Sequence, residues 1–415
     1  MTTPDVRKPT SPEIVPLDCP LSRIRIGLIC DYVEEGWFSM ELVADMLYGH
    51  LSAGVTDGVD VARLRPAMRR RFSHTPLLDS KISLNVDRLV NRFWDYPRWL
   101  AKERDRFDLF HLVDHSYSQL VHSLPAERTV VTCHDLDTFR CLLEPKQEPR
   151  PPWFRFMARQ ILDGFRKAAY VIAVSEATRA QLLNYGLVEP TKVRVIHNGV
   201  NPVYSPVPQA LADETAARLM PRDHSSDIWL LNVSSNAPRK RIDLLLQVLA
   251  AVRQVLPGVR LARVGGPLSP EHQALARDLN LEEALVIAPY LTSDELAAVY
   301  RRADLLVHPA EAEGFGLPIV EAMACGCPVV ATDLPVLREV GGKAVLFRPL
   351  GDIRAWMESI TQLLEDRTGE RSAWRSQRQS GLEQSKRFCW VTTAREVTQV
   401  YSEVMGRSGL VGSQR

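Results

Sequence analysis

The sequence predicts an α/β protein made of two doubly wound domains that face each other across a cleft. Three observations carry that expectation. Short apolar runs alternate with helix-spaced amphipathic stretches, the pattern of parallel sheets with helices on both faces. The alternation fades between Asn201 and Ser226, where Pro202, Pro206 and Pro208 lead into polar residues, and then begins again. A chain of 415 residues is also longer than one ordinary core organises.

In the first half, Ile24–Cys30 (IRIGLIC) reads as a buried strand. A loop holding Gly36 follows, then a helix with Leu42, Val43, Met46 and Leu47 on one face. Leu109–Val113, Thr129–Cys133 and Tyr170–Ser175 are strand-like. Ser175 suits the N-cap of the next helix and Gly186 its end. Val193–His197 is the next strand, closed by Asn198-Gly199. In the second half, strands are expected at Trp229–Ser235, Val259–Gly266, Ala284–Pro289, Ala303–Pro309 and Val329–Asp333. A helix follows the first of these, and Thr292 with Glu295 spells a capping box for another. Trp390, Val397, Val400, Tyr401 and Val404 recur at helical spacing near the end. The expected divisions are a tail over 1–22, a first domain over 23–203, a linker over 204–226, a second domain over 227–385, a helix over 386–405 and a tail over 406–415. Open α/β sheets bind ligands beyond the carboxyl ends of their strands, so the cleft between the domains is the expected site.

Composition narrows the function classes. A formal charge of +1 excludes a general polyanion binder, and no nucleic-acid partner is expected. No stretch has the roughly 20 apolar residues of a membrane span. The N-terminus lacks the apolar middle of an export signal, so a cytoplasmic location is expected. The seven cysteines are scattered without a C-x-x-C pair, which argues against a disulfide framework or a structural zinc site. Cys325 and Cys327 sit in a turn with no His or further Cys close by, and a metal role is not expected there.

The densest chemical signal is His308–Asp333, HPAEAEGFGLPIVEAMACGCPVVATD. A strand ends at Pro309, and the loop Glu313-Gly314-Phe315-Gly316-Leu317 leads into a helix with Pro318 in its first turn and Gly326 past its end. Glycines allow close approach of backbone to a ligand, and free amides at a helix start form an anion site that fits a diphosphate. Glu313 and Glu321 lie eight residues apart and reach different ends of one ligand. Carboxylates accept hydrogen bonds from vicinal hydroxyls and are repelled by phosphate, so the pair is expected on sugar or ribose.

This segment resembles the signature of family 4 of the glycosyltransferases, whose paired glutamates fall on Glu313 and Glu321. GFGLP and EAMACGCPVVATD match that pattern. YVIAVSEATRAQLL with VRVIHNGVN, LNVSSNAPRKRIDLLLQVL, APYLTSDELAAVYRRADLLVHPA and RFCWVTTAREVTQVY extend the likeness over most of the chain. The resemblance implies a GT-B fold, two Rossmann-like domains with a nucleotide sugar between them and a final helix crossing back to the first domain. It implies that Glu313 approaches the transferred sugar, Glu321 holds the donor ribose and Lys240 grips the diphosphate. Ser234 stands where many members carry an arginine, so Arg239 is expected to share the phosphate contact. Gly36 is what remains of a glycine pair in the first domain. The implied reaction is retaining transfer of a hexose, mannose or glucose, to a hydroxyl of a glycan, lipid-linked or small-molecule acceptor, with the leaving phosphate taking the proton.

Further residues are weighed beside these. Arg239, Lys240 and Arg241 follow a strand and precede a helix, where cations neutralise a leaving diphosphate. His134-Asp135 follows a strand of the first domain, and His134 is expected to meet the sugar or the acceptor. Asp135-Leu136-Asp137 spells D-x-D, a metal motif of another glycosyltransferase fold. Here the lysine and the helix terminus do that work, and no required metal or cofactor is expected. His111 and His115 flank a strand end and read as structural. The cluster Arg63, Arg65, Arg69, Arg70 and Arg71, with Phe72, offers a peripheral contact at the inner face of a membrane or with a phosphorylated acceptor, against the plainer reading of a solvated loop. The donor stays open among GDP-, UDP- and ADP-sugars, the APRK form fitting GDP-mannose, and oligomeric state is not legible. The rival readings are a GT-B epimerase or phosphorylase, and a nucleotide-sugar-binding protein without catalysis.

Overall fold

The computed structural model describes residues 23–54, 58–73, 80–224, 227–369 and 372–407. The expected tail 1–22, and the expected tail 406–415 apart from 406 and 407, lie outside these residues.

Two six-stranded sheets form the frame, and every strand pair in them is parallel. The first holds β1 (Ile24–Ile29), β2 (Val59–Leu64), β3 (Leu109–Leu112), β4 (Thr129–Cys133), β5 (Tyr170–Ala173) and β6 (Val193–Val195), in the order β2-β1-β3-β4-β5-β6. The second holds β7 (Ile228–Val233), β8 (Val259–Val264), β9 (Leu285–Ala288), β10 (Leu305–His308), β11 (Val329–Thr332) and β12 (Val345–Arg348), in the order β12-β11-β10-β7-β8-β9. Buried apolar clusters line both faces of each sheet, so the strands at the centre are buried throughout.

The local signals act as expected where they were read. Ser175 Oγ accepts from the Thr178 amide and caps the helix Glu176–Asn184. Thr292 and Glu295 make both bonds of the capping box on the helix Ser293–Arg302. Two strands escaped the reading, β2 and β12, and both are edge strands. Asp60 and Arg63 break the apolar run of β2 because its outer positions face water. The stretch expected as a linker contains the helix Ala210–Leu219, whose Ala212 and Ala216, with Met220 beyond it, pack into the second core beside Trp229 and Tyr300.

The last helix, Trp390–Arg407, returns to the first sheet. Trp390, Val397, Val400, Tyr401 and Val404 pack with Ile26, Leu28 and Val43. Tyr401 Oη lies 2.7 Å from His111 Nδ1, and Arg194 pairs with Glu403 at 2.6 Å. His111 is fully buried, and burial holds its pKa down to about 3, so it is a neutral packing residue.

Each sheet reverses its winding once, between β1 and β3 in the first and between β7 and β10 in the second. At such switch points the loops diverge and leave a crevice for ligand. The loops after β7 and β10 carry Pro238–Lys240 and Glu313–Gly316.

Candidate active site

Lys240 and Glu313 meet at the switch point of the second sheet. The Lys240 ammonium donates to Glu313 Oε1, and His308 Nε2 reaches the same oxygen at 2.9 Å. Burial pushes the Glu313 carboxyl up, but Lys240 and then His308 outweigh it and hold its pKa well below the usual carboxylate range. Glu313 is therefore a buried, permanently ionised acceptor. His308 was missed in the sequence because it reads there as the last residue of a strand.

The three adjacent cations have separate partners. Arg239 Nε pairs with Asp137 Oδ2 of the first domain at 2.9 Å, and its Nη1 donates to Ala312 O at 3.2 Å. Arg241 turns away to Asp243 at 2.8 Å. Its backbone is left-handed, at φ 50°, a sparsely populated conformation for a residue with a side chain. That turn separates Arg241 from Lys240, so that Lys240 reaches Glu313 while Arg241 lines the cavity paired with Asp243.

The loop after Glu313 is built for close approach. A Cβ on Gly314 would lie 1.9 Å from the His134 carbonyl oxygen. Ser175 Oγ donates to the Gly314 carbonyl at 2.9 Å, so this one residue is held by two loops of the other domain. Gly316 has φ 93°, which only glycine adopts freely, and starts the helix Leu317–Ala324. The amides of Gly314, Phe315, Gly316 and Leu317 donate to no other described residue. The Phe315 ring is turned inward against His197 and Phe388, with ring centroids 5.9 and 5.6 Å away. Phe315 thus offers its backbone to the site and its side chain to the core.

Glu321 lies one turn further and is buried. Tyr300 Oη donates to Glu321 Oε2 at 2.9 Å, and Tyr204 bonds it as well. Burial pushes its carboxyl up to about 7 against those two hydrogen bonds. The two glutamates of the segment therefore differ in charge state, one locked ionised and one titrating near neutrality.

On the first domain, His134 follows β4 and its Nε2 lies 2.7 Å from the Val113 carbonyl. A carbonyl only accepts, so Nε2 carries the proton. Burial lowers the pKa of the ring, which leaves Nδ1 as a bare acceptor. Gly36 ends the turn Val33–Glu35, and its amide already donates to Val33 O at 3.0 Å. That amide is engaged within its own turn.

The loops of the two domains enclose a cavity of about 810 Å³, bounded by Asp135, Asp137 and Arg140 on one side and Arg239, Glu313 and His272 on the other. At Ser234, the hydroxyl donates to Asn232 Oδ1 at 2.8 Å. Its carbonyl accepts from Arg263 at 3.1 Å, and Arg263 also donates to Asn236 Oδ1 at 2.6 Å and to Gly266 O. Arg263 is buried and ties the loop after β7 to the loop after β8. The two arginines of the run VRLARVGG, Arg260 and Arg263, were the one sign of it. Asp137 of the D-x-D sequence is taken by Arg239, and among the described residues no group of three or more His, Cys, Asp or Glu is arranged to hold a metal.

The arginine cluster is largely paired internally. Arg63 meets Asp45 at 2.6 Å, Arg65 meets Glu41 at 2.7 Å and Arg71 meets Asp95 at 2.6 Å. A membrane contact through five open cations is thereby reduced to Arg69 and Arg70. Among the described residues no helix is long and apolar enough to cross a membrane.

Comparison with known proteins matches this frame. The model of glycosyl transferases group 1 matches residues 222–380, and that of glycosyltransferase family 4 matches residues 50–204. The serotype-specific mannosyltransferase WbdA of Escherichia coli is 28% identical over 307 residues, 71% of this chain and 36% of that protein. A D-inositol 3-phosphate glycosyltransferase of Mycobacterium marinum is 29% identical over 318 residues, 74% of this chain and 61% of that protein. The chain thus spans about a third and about three-fifths of these relatives. Among solved structures, sucrose-phosphate synthase of Thermosynechococcus elongatus superposes with a TM-score of 0.70 at 22% identity, covering 93% of this chain and all of that one. The frame is the GT-B fold. With the two family models falling one on each sheet and its helices, the chain belongs to the group 1, family 4 glycosyltransferases.

Proposed function

We propose that the protein transfers a hexose from a nucleoside diphosphate sugar to an acceptor hydroxyl with retention of anomeric configuration. The observation that carries this reading is the meeting of Lys240 and Glu313 at a switch point, beside a run of unengaged amides at Gly314–Leu317. The donor's diphosphate takes the amides and Lys240, with Arg239 at the domain boundary. Glu313 accepts from hydroxyls of the transferred sugar, and Glu321, oriented by Tyr300 and Tyr204, accepts from those of the ribose.

In the reaction, the bond between the anomeric carbon and the β-phosphate oxygen breaks and the acceptor oxygen bonds to the same face. The acceptor proton passes to the leaving phosphate, so no protein nucleophile is required. Negative charge grows on the diphosphate as it departs, and fixed cations and amides act most strongly there. His134, neutral with Nδ1 bare, accepts from a sugar hydroxyl without adding charge to the site. The contact of Gly314 with His134 and Ser175 brings the two half-sites together and excludes water.

The name of the E. coli relative makes GDP-mannose the first donor to test. Melting shifts with a panel of GDP-, UDP- and ADP-sugars identify the donor, and the anomeric proton of the product by NMR reads the stereochemistry. An inverted product sinks the retaining mechanism. Epimerised donor formed without acceptor, or a requirement for free phosphate, would replace transfer by epimerase or phosphorylase chemistry.

A further inference from the structure

The switch point of the first sheet lies between β1 and β3. The first residues beyond those two strands include Asp31 and Asp114, both buried and hydrogen-bonded to one another. Asp114 is otherwise satisfied by the Ser116 amide at 2.8 Å and hydroxyl at 2.6 Å. Asp31 Oδ2 has no partner among the described residues, and neither does Nε2 of His115, whose ring is almost wholly buried. The His134 amide donates to His115 Nδ1 at 3.4 Å, which leaves the proton on His115 Nε2. That N–H faces Asp135 at 3.7 Å, too far to bond, and Asp135 lines the cavity between the domains. Buried polar atoms without partners mark a place where a ligand completes the bonding.

The charge around this crevice is one-sided. The neighbouring cavity, which Asp135 lines, carries seven carboxylates against three arginines. Of those arginines, Arg140 faces Asp137 and Glu144, Arg239 is paired with Asp137, and Arg241 with Asp243. Arg92, beside the cluster, lies 3.5 Å from Glu35, 4.1 Å over the Tyr117 ring and donates to Ser116 O.

We propose that Asp31, His115 and His134 form an acceptor subsite for an uncharged polyol, such as a glycan hydroxyl pair, and that the acid pair with Asp135 excludes phosphorylated acceptors. This rests on the transferase reading above and names its acceptor class. A vicinal diol fits the inventory, since it gives protons to Asp31 Oδ2 and His134 Nδ1 and takes one from His115 Nε2. A phosphate ester brings acceptors and negative charge to a place that offers one donor. The two relatives named above differ on this point, one named for a phosphorylated acceptor and one for mannosyl transfer, and the geometry sides with the second.

The test uses the full chain. A melting shift with the nucleotide sugar alone checks donor binding, and so the transferase reading, separately from the acceptor. With that donor, initial rates of nucleoside diphosphate release are then compared for mannose against mannose 6-phosphate and for myo-inositol against inositol 1-phosphate. The neutral member of each pair is expected to have a kcat/KM at least about tenfold higher, because like charges juxtaposed in a desolvated site cost more than that. Equal or better use of the phosphorylated member overturns the proposal. Asp135→Asn is expected to shift the ratio of phosphorylated to neutral use upward by roughly threefold or more, from the removal of one nearby charge. A merely structural defect would move both members together and leave the ratio fixed, which would overturn the role of Asp135. His115→Gln, milder for the fold, is expected to raise the KM for the neutral acceptor more than the KM for the donor; the reverse order counts against the subsite.

Discussion

The His134 carbonyl oxygen occupies the place where a Cβ on Gly314 would sit, 1.9 Å away. A side chain at 314 therefore forces apart the contact through which the half-sites join. Gly314→Ala is expected to leave each domain folded and to lower kcat by roughly a hundredfold, since misplacement by about 1 Å costs that much. Far-ultraviolet circular dichroism checks the folding and steady-state kinetics the rate. Activity near wild type would mean that the reacting state does not use this contact.

Lys240 has two jobs, neutralising the departing diphosphate and balancing the buried Glu313. Lys240→Met removes both. Turnover is expected to fall by 10²–10³-fold, the usual cost of one donor at developing charge, and stability by about 2–4 kcal/mol for the stranded carboxylate. His308 softens the second loss because it reaches the same Glu313 oxygen. Adding Glu313→Gln to the Lys240 variant should recover the stability, measured by urea unfolding, and should not recover turnover. Recovery of both would reduce Lys240 to a structural partner of Glu313.

Arg239 and Asp137 tie the domains at 2.9 Å in a half-exposed setting. Exposed pairs contribute about 0–1 kcal/mol, so Asp137→Asn should barely move the melting temperature. Its effect is expected on donor KM, because Arg239 is then released towards the diphosphate or away from it. Since Asp137 already serves Arg239, turnover is also expected to persist in EDTA. Abolition by EDTA with recovery by a divalent cation would return the D-x-D sequence to metal binding.

The parts of this molecule legible from sequence are those where local chemistry and burial agree. Central strands are buried on both faces and so appear as short, mainly apolar runs without charge, as in β3, β4 and β10. The edge strands β2 and β12 were lost because an edge faces water: charge interrupts the pattern of β2, and β12 offers only three apolar residues before Arg348. At the site, Glu313, Lys240 and Gly314 stood out through a dense local motif. His308, Arg263, Asp31 and Asp114 did not, because each is placed by topology: strands far apart in sequence bring each of them against its partners. Phe315 is a motif residue whose side chain packs inward, which a motif read in sequence does not show.

Glu321 gives the protein a stability that depends on pH in a direction opposite to most carboxylates. A free glutamate titrates near 4.5, and burial pushes this one up to about 7. Between those values the folded chain keeps a proton that the unfolded chain has released. The contribution of Glu321 is thus fully present below pH 4.5 and is lost as pH rises through 7, by about 3 kcal/mol in all. Glu321→Gln keeps an acceptor for Tyr300 Oη and cannot ionise. Its urea midpoint is expected to decline less than that of the wild type between pH 5.5 and pH 8, so that the two curves diverge on the alkaline side. Parallel curves would show that Glu321 is already ionised in the fold. The same variant should raise donor KM several-fold, by roughly the worth of one charge-assisted hydrogen bond to a ribose hydroxyl. An unchanged donor KM beside a flattened pH profile would assign Glu321 to the core with Tyr204 and Tyr300 and take it out of the ribose contact.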